Sequence, residues 1–249
     1  MNNKKIYFAS DFHLGVPTHE KSLEREKAIC RWLDMVKKDA SEIYLVGDIF
    51  DFWYEYTYTI PKGHTRLLGK IAEISDSGIP VNFFTGNHDF WMKDYFEKEL
   101  NVKVYHQTIT KEYNGKKFLI GHGDGLGPGD GWYKLLKIVF ASKFCQWCYS
   151  RLHPNFAFWL ARKSSKRSRI ATADSDEKFL GEENEWLYLY SKDYLKQHSI
   201  NYFVFGHRHL PLDMNIEGKA RYINLGEWIN YKTYAVFDGN DLKLEKFEG

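Results

Sequence analysis

The sequence predicts an α/β protein: an open sheet with helices on both faces and a helical lid inserted late in the chain. Three observations predict it. Short apolar runs rich in β-branched and aromatic residues alternate with amphipathic helical patterns. Three further strand-like runs close the chain. Between the fourth and fifth runs lies a segment, 131–173, that is both basic and aromatic and carries helical periods.

The elements follow in order. Strands are expected at Lys5–Ser10, Glu42–Val46, Pro80–Thr85, Lys117–Ile120 and Asn201–Phe205, each a short apolar run ending in polar residues. Helices are expected between them. Ser22–Lys37 places Leu23, Ala28, Ile29, Trp32, Leu33 and Val36 near one face, with charges opposite. His64–Ser75 and Glu182–Gln197 read similarly. Arg221–Asn224, Thr233–Phe237 and Leu242–Phe247 read as late strands, with a hairpin at Asp238-Gly239. The lid's helical period breaks near His153-Pro154.

The 249 residues suit a single domain, 1–249, with 131–173 inserted as the lid. Hydrophobic residues at 43% and charged residues at 27% provide a core and exclude wholesale disorder. No apolar run reaches the roughly 18 residues of a transmembrane helix. The N-terminal apolar run is too short for a signal peptide, so a cytoplasmic location is expected. Cys30, Cys145 and Cys148 are too few for a disulfide framework. Cys145-x-x-Cys148 sits among aromatics and reads as two buried thiols.

The net charge of +2 hides segregation. No Asp or Glu occurs from Gly131 to Ala173, whereas nine Lys or Arg lie between Trp132 and Ile170. The same stretch carries nine aromatics. Cations beside rings suit an anionic, apolar partner such as a lipid phosphate, or else stacked bases. A helical hairpin with its rings in the core accounts for the composition equally well.

Polar residues capable of binding metal follow the five strands. They are Asp11 and His13 (SDFH), Asp48 (VGDIFD), Asn87, His88 and Asp89 (TGNHD), His122 and Asp124 (IGHGD), and His207 and His209 (FGHRH). The carboxyl rim of an α/β sheet is where ligands bind. Imidazole, carboxylate and one amide suit Mn²⁺, Fe or Zn better than Ca²⁺. Two such cations can clamp a phosphate and activate water, and an Asp is a natural bridge between them. Any one of these pairs is common by chance; five at five strand ends are not. His64, His106, His153 and His198 lack motif context and read as surface or capping residues. Asp51 reads equally as a support for the site or as a helix cap.

This motif series resembles that of the calcineurin-like metallophosphoesterases, over Asp11 to His209. The resemblance implies a four-layer α/β/β/α sandwich with a dinuclear centre of two divalent ions, Mn²⁺ being expected. It implies that Asp11, His13 and His209 hold one metal, that Asp48 bridges, and that Asn87, His122 and His207 hold the other. It makes His88 an outer-sphere catalytic histidine, oriented by Asp89. Within that family the chain is most similar to the UDP-2,3-diacylglucosamine diphosphatases of lipid A biosynthesis. The points of similarity are SDxHLG, VGDIFDFW, HGD before a helical insertion, a Ser-Lys cluster closing it, and the late GHxH. At position 88 it has histidine where that group commonly has arginine.

The narrower resemblance implies hydrolysis of the acylated UDP-sugar to UMP and 2,3-diacylglucosamine 1-phosphate. The membrane's cytoplasmic face would be a peripheral partner, and nucleic acid would not. Asn87, His88, Asp130, Arg162, Ser165, Lys166, Arg169 and His207 are the expected substrate contacts. Trp132, Phe140, Phe144, Trp147, Phe156 and Trp159 are candidates to line an acyl site. The alternative is another phosphodiesterase or nuclease of the family, acting on a soluble nucleotide or nucleic acid.

Overall fold

Every expected strand forms, and the reason lies in how their side chains divide. The computed structural model describes residues 4–127, 139–161, 163, 165 and 178–249. A six-stranded sheet has the order β11-β10-β1-β2-β3-β4, and a five-stranded sheet has the order β5-β6-β7-β9-β8. In the first sheet β1 (Lys5–Ala9), β2 (Ala40–Val46), β3 (Val81–Phe84) and β4 (Lys103–Tyr105) run parallel, and β10 (Thr233–Phe237) and β11 (Leu242–Lys246) add an antiparallel hairpin. In the second, β6 (Lys116–Ile120), β7 (Tyr202–Phe205) and β9 (Ala220–Leu225) are parallel, flanked by antiparallel β5 (Ile109–Tyr113) and β8 (Pro211–Ile216).

Successive strand side chains point to opposite faces, and here both faces are covered. Tyr7 and Ala9 pack with Ile29, Trp32 and Leu33 of α1 (His19–Val36) and Leu67 and Ile71 of α2 (Thr65–Asp76). Their neighbours Ile6 and Phe8 pack instead with Phe118, Ile120, Tyr202 and Val204 of the second sheet. Phe203 and Phe205 turn outward onto Leu187 and Tyr188 of the helix Trp186–Tyr194. Three apolar seams therefore join four layers, helix, sheet, sheet and helix. This is why the central strands read as unbroken apolar runs rather than alternating ones.

Some elements depart from expectation. The helical pattern at Glu182–Gln197 begins with a 3₁₀ turn at Glu182–Asn184, and the α-helix spans Trp186–Tyr194. A short helix, α3 (Tyr95–Leu100), and the strands β4, β5 and β8 add to the expected set. The expected hairpin at Asp238-Gly239 joins β10 to β11. A second one, at Asn114-Gly115, joins β5 to β6, with φ of 50° and 75° at its two central residues.

Candidate metal centre

The rim loops force the chain to turn sharply at each strand end. Asp11, His13, Asp48, His207 and His209 all have positive φ, from 44° to 70°. That backbone is strained for residues with a side chain and persists only where the surroundings hold it. Here the loops hold one another. Asp11 N–H donates to Gly47 O (3.0 Å), His13 N–H to Asp48 O (2.9 Å) and Gly206 N–H to His122 O (3.0 Å). Two glycines are required by close approach. A Cβ on Gly86 would lie 2.2 Å from Asp48 Oδ1, and one on Gly206 would lie 2.5 Å from Asp11 Oδ2.

The loops bring seven expected residues together. His13 Nε2 lies 2.9 Å from His209 Nε2, 3.5 Å from Asp11 Oδ1 and 3.9 Å from Asp48 Oδ2. His209 Nε2 is 3.2 Å from Asp11 Oδ1. On the other side, His122 Nε2 is 3.3 Å from Asp48 Oδ2 and 3.3 Å from Asn87 Oδ1. Asn87 Oδ1 is also 3.0 Å from His207 Nδ1. Asp11, His13, Asp48 and His209 form one group able to hold a metal ion, and Asp48, His122 and His207 form a second. Asp48 belongs to both.

Burial and charge fit the same use. Asp11 Oδ1 is buried with no hydrogen-bond partner among the described residues. An unpaired buried carboxylate oxygen facing two imidazole nitrogens is costly, and a cation among them would satisfy it. Burial opposes charge on Asp11 and Asp48, yet the neighbouring imidazoles hold both carboxyls well below their usual range. Burial likewise opposes a charged His122, but Asp48 overrides it and lifts the imidazole to about 10. Burial and the charge on His122 together push His207 down. Asp89 is pushed up to about 7 by burial and by Asp48. The pocket thus concentrates negative charge on two buried carboxylates and draws positive charge toward them.

One expected role is corrected. Asp89 does not orient His88. Its fully buried carboxylate accepts backbone N–H bonds from Gly86 (2.7 Å), Asp48 (3.3 Å), Ile49 (2.8 Å) and Phe50 (3.4 Å). The crowded loops after β2 and β3 need an acceptor there, and Asp89 turns inward to supply it. His88 rests on Asp51 instead: its Nδ1 lies 2.9 Å from the Asp51 carbonyl oxygen and 3.7 Å from Asp51 Oδ1.

The sequence profile described as Calcineurin-like phosphoesterase matches residues 4–211, which carry all of these groups. The chain belongs to the calcineurin-like phosphoesterase family. A UDP-2,3-diacylglucosamine hydrolase from Porphyromonas gingivalis is 40% identical to it over 98% of each chain. A protein of the same name from Proteus mirabilis is 27% identical over 96% of this chain and 98% of its own. Among solved structures, a dimetal phosphatase from Danio rerio aligns with a TM-score of 0.49 at 12% identity, over 99% of this chain and 96% of its own.

This metal-dependent phosphoesterase also uses buried polar residues that its motifs do not reveal. Arg25 of α1 donates to the carbonyls of Phe12 (2.7 Å), His13 (2.7 Å) and Val16 (2.5 Å), pinning the first loop. Asn224 of β9 donates to Gly206 O at 2.5 Å. Glu227 accepts from the amides of Ile229, Asn230 and Tyr231, and the Trp228 N–H beside it bonds Asp11 O at 3.1 Å. This explains a Gly-Glu-Trp run that carries no metal-binding pattern. The five other histidines lie apart from these groups: His19 opens α1, His64 precedes α2, His106 meets Thr85, His153 accepts from Asn155 N–H, and His198 stacks on Tyr194.

Of the basic insertion, the structure describes helical turns at 139–141, the helix Lys143–Ser150, a turn, and helical residues 154–161. Pro154 opens the second helical run, where the sequence places a break. One face docks on the loops after β2 and β3. Tyr54 Oη donates to Gln146 O (3.0 Å), Tyr56 Oη to Leu152 O (3.3 Å) and Trp91 Nε1 to Phe140 O (2.8 Å). The other face carries Phe144, Trp147, Phe156 and Trp159, each more than half exposed. Arg151 lies over Trp147 and Lys163 over Trp159. The cysteines are corrected too: Cys145 is half-buried and Cys148 exposed, because the helix turns Tyr149 rather than these thiols onto the body. Of the expected substrate contacts, Ser165 donates to both carboxylate oxygens of Asp51, at 3.0 and 2.9 Å. Asp130, Arg162, Lys166 and Arg169, and the acyl-site candidate Trp132, lie outside the described residues.

Proposed function

We propose that this phosphoesterase hydrolyses the pyrophosphate bond of UDP-2,3-diacylglucosamine, releasing UMP and 2,3-diacylglucosamine 1-phosphate in lipid A biosynthesis. One observation carries the reading. The Porphyromonas gingivalis hydrolase aligns end to end, over 98% of both chains, so the basic aromatic insertion lies inside the match.

The chemistry follows from the donor set. Asp11, His13, Asp48 and His209 would hold one divalent cation, and Asp48, Asn87, His122 and His207 a second, with Mn²⁺ as the expected ion. When bound, such a pair neutralises phosphate charge and activates water. The protein's own groups do the rest. Asp48 faces His13 on one side and His122 on the other, so its charge would serve both halves. The Asp51 carbonyl fixes a proton on His88 Nδ1, which leaves Nε2 as the nitrogen that meets a phosphoryl or leaving-group oxygen. Residues 131–173 are the segment we assign to the acylated half of the substrate, and Asp130, Arg162, Ser165, Lys166 and Arg169 are the contacts that the sequence leads us to expect for its head group.

No helix among the described residues is long and apolar enough to cross a membrane. The exposed rings and their partnered cations suit peripheral attachment to an anionic bilayer surface on the cytoplasmic side. The test is release of UMP by Mn²⁺-loaded protein from the acylated UDP-sugar, its deacylated counterpart and single-stranded DNA. Turnover of the acylated substrate alone supports the reading. Equal rates with and without acyl chains, or preference for DNA, overturn it.

A further inference from the structure

The two sheets divide the rim into two sides. The helices of the insertion dock through Tyr54, Tyr56 and Trp91, all on loops of the first sheet. The opposite side is built by the second sheet, and its wall is Trp186. The Trp186 ring lies 6.3 Å, centroid to centroid, from that of His207, so it stands next to the metal-binding groups.

Trp186 is held with unusual care for a half-buried residue. Arg208, between the two late histidines, turns away from the cleft. Its guanidinium lies 5.0 Å from the Trp186 ring centre and pairs with Glu185 at 3.0 Å. Both charged partners are buried, and Tyr222 Oη donates to the other Glu185 oxygen at 3.1 Å. A buried ion pair is weak evidence for stability but strong fixation of what it touches. On the next loop, a Cβ on Gly127 would lie 2.9 Å from Trp186 O, so this loop packs closely against the tryptophan backbone. The indole Nε1 is buried and has no hydrogen-bond partner among the described residues. A ring fixed in this way is suited to a flat ligand that stacks on it.

We propose that Trp186 is the platform for the pyrimidine base of the substrate's nucleotide half. The inference rests on the UDP-sugar reading above and deepens it. With the acyl chains on the first-sheet side and the diphosphate at the shared Asp48, the nucleotide extends toward the second sheet. Uracil there offers a π face to the indole, as the fixed ring requires. Stacking of a base on an aromatic ring is worth about tenfold or more in affinity.

The experiment compares UMP with ribose 5-phosphate, which differs only by the base, by calorimetry on Mg²⁺-loaded protein. Wild type is expected to bind UMP at least about tenfold more tightly. Trp186→Leu should reduce that ratio below about threefold, and Trp186→Phe should largely retain it. A ratio unchanged in Trp186→Leu overturns the proposal, as does a wild type that does not distinguish the two ligands. Should the leucine variant not fold, the indole ¹⁵N–H signal of wild type decides, identified as the one lost in Trp186→Phe. It must shift with UMP and stay in place with ribose 5-phosphate; equal shifts overturn the proposal. UMP release from the acylated UDP-sugar is measured on the same wild-type sample. Release without base discrimination removes Trp186 alone, and discrimination without release removes the substrate reading alone.

Discussion

Asp48→Asn isolates one charge. The amide is isosteric with the carboxylate, and its oxygen can still accept the His88 N–H that now meets Asp48 Oδ1 at 2.9 Å. The loop therefore keeps its shape. What disappears is the negative charge that faces His122 at 3.3 Å and His13 at 3.9 Å. A unit charge pair at about 4 Å interacts by roughly 4 kcal/mol at an effective dielectric constant near 20. A divalent cation carries twice that charge, so each one sharing Asp48 loses at least about 4 kcal/mol, which is roughly 10³-fold or more in each binding constant. The assay is metal content by mass spectrometry after dialysis against graded chelator, beside hydrolysis of a chromogenic phosphodiester. The expected variant folds normally, holds metal only at millimolar supply and turns over at background. Two tightly held ions in Asp48→Asn would refute the shared-carboxylate argument, whatever the activity.

Other perturbations separate the remaining roles. His88→Ala should lower kcat by about 10²–10⁴ with metal content unchanged, as expected of a proton donor or phosphoryl contact; loss of metal would instead make His88 a ligand. Asp89→Ala leaves buried amides of Gly86, Asp48, Ile49 and Phe50 without an acceptor, at about 1–3 kcal/mol each. Chemical denaturation should show a loss of about 3 kcal/mol or more in the metal-free protein, with Asp89→Asn losing less, and a loss below 1 kcal/mol would contradict the role. His122, lifted to about 10 in the metal-free protein, is protonated at pH 8 and must release that proton to bind metal. Calorimetry at pH 8 in two buffers of different ionisation enthalpy should report about one proton released, and affinity should rise with pH until about 10; identical heats in both buffers would contradict this.

The sequence is most legible where one strand and its loop suffice. Apolar runs such as Glu42–Val46, closed by Gly47-Asp48, announce both a buried strand and a polar group at its end. Strands on the margins are harder to read. In β5, Ile109, Lys111 and Tyr113 are half-buried and alternate with exposed Thr110 and Glu112, so the run lacks an apolar block. The Asn114-Gly115 pair after it was nonetheless a hairpin signal in plain sight. The supports of the site are illegible for a different reason, since they join residues far apart in the chain. Trp228 bonds Asp11 once the two sheets are stacked, Asn224 bonds Gly206 once β9 pairs with β7, and Ser165 bonds Asp51 once the insertion meets the first sheet's loops. For Asp89 the motif suggested the adjacent histidine as partner, and the packing of the loops after β2 and β3 chose backbone amides instead.

Anomalous scattering from crystals grown with Mn²⁺ tests the central claim most directly. Two manganese peaks are expected, one enclosed by Asp11, His13, Asp48 and His209 and one by Asp48, Asn87, His122 and His207, with Asp48 touching both. Manganese bound elsewhere, or these side chains closed on one another with no peak among them at saturating metal, would contradict it.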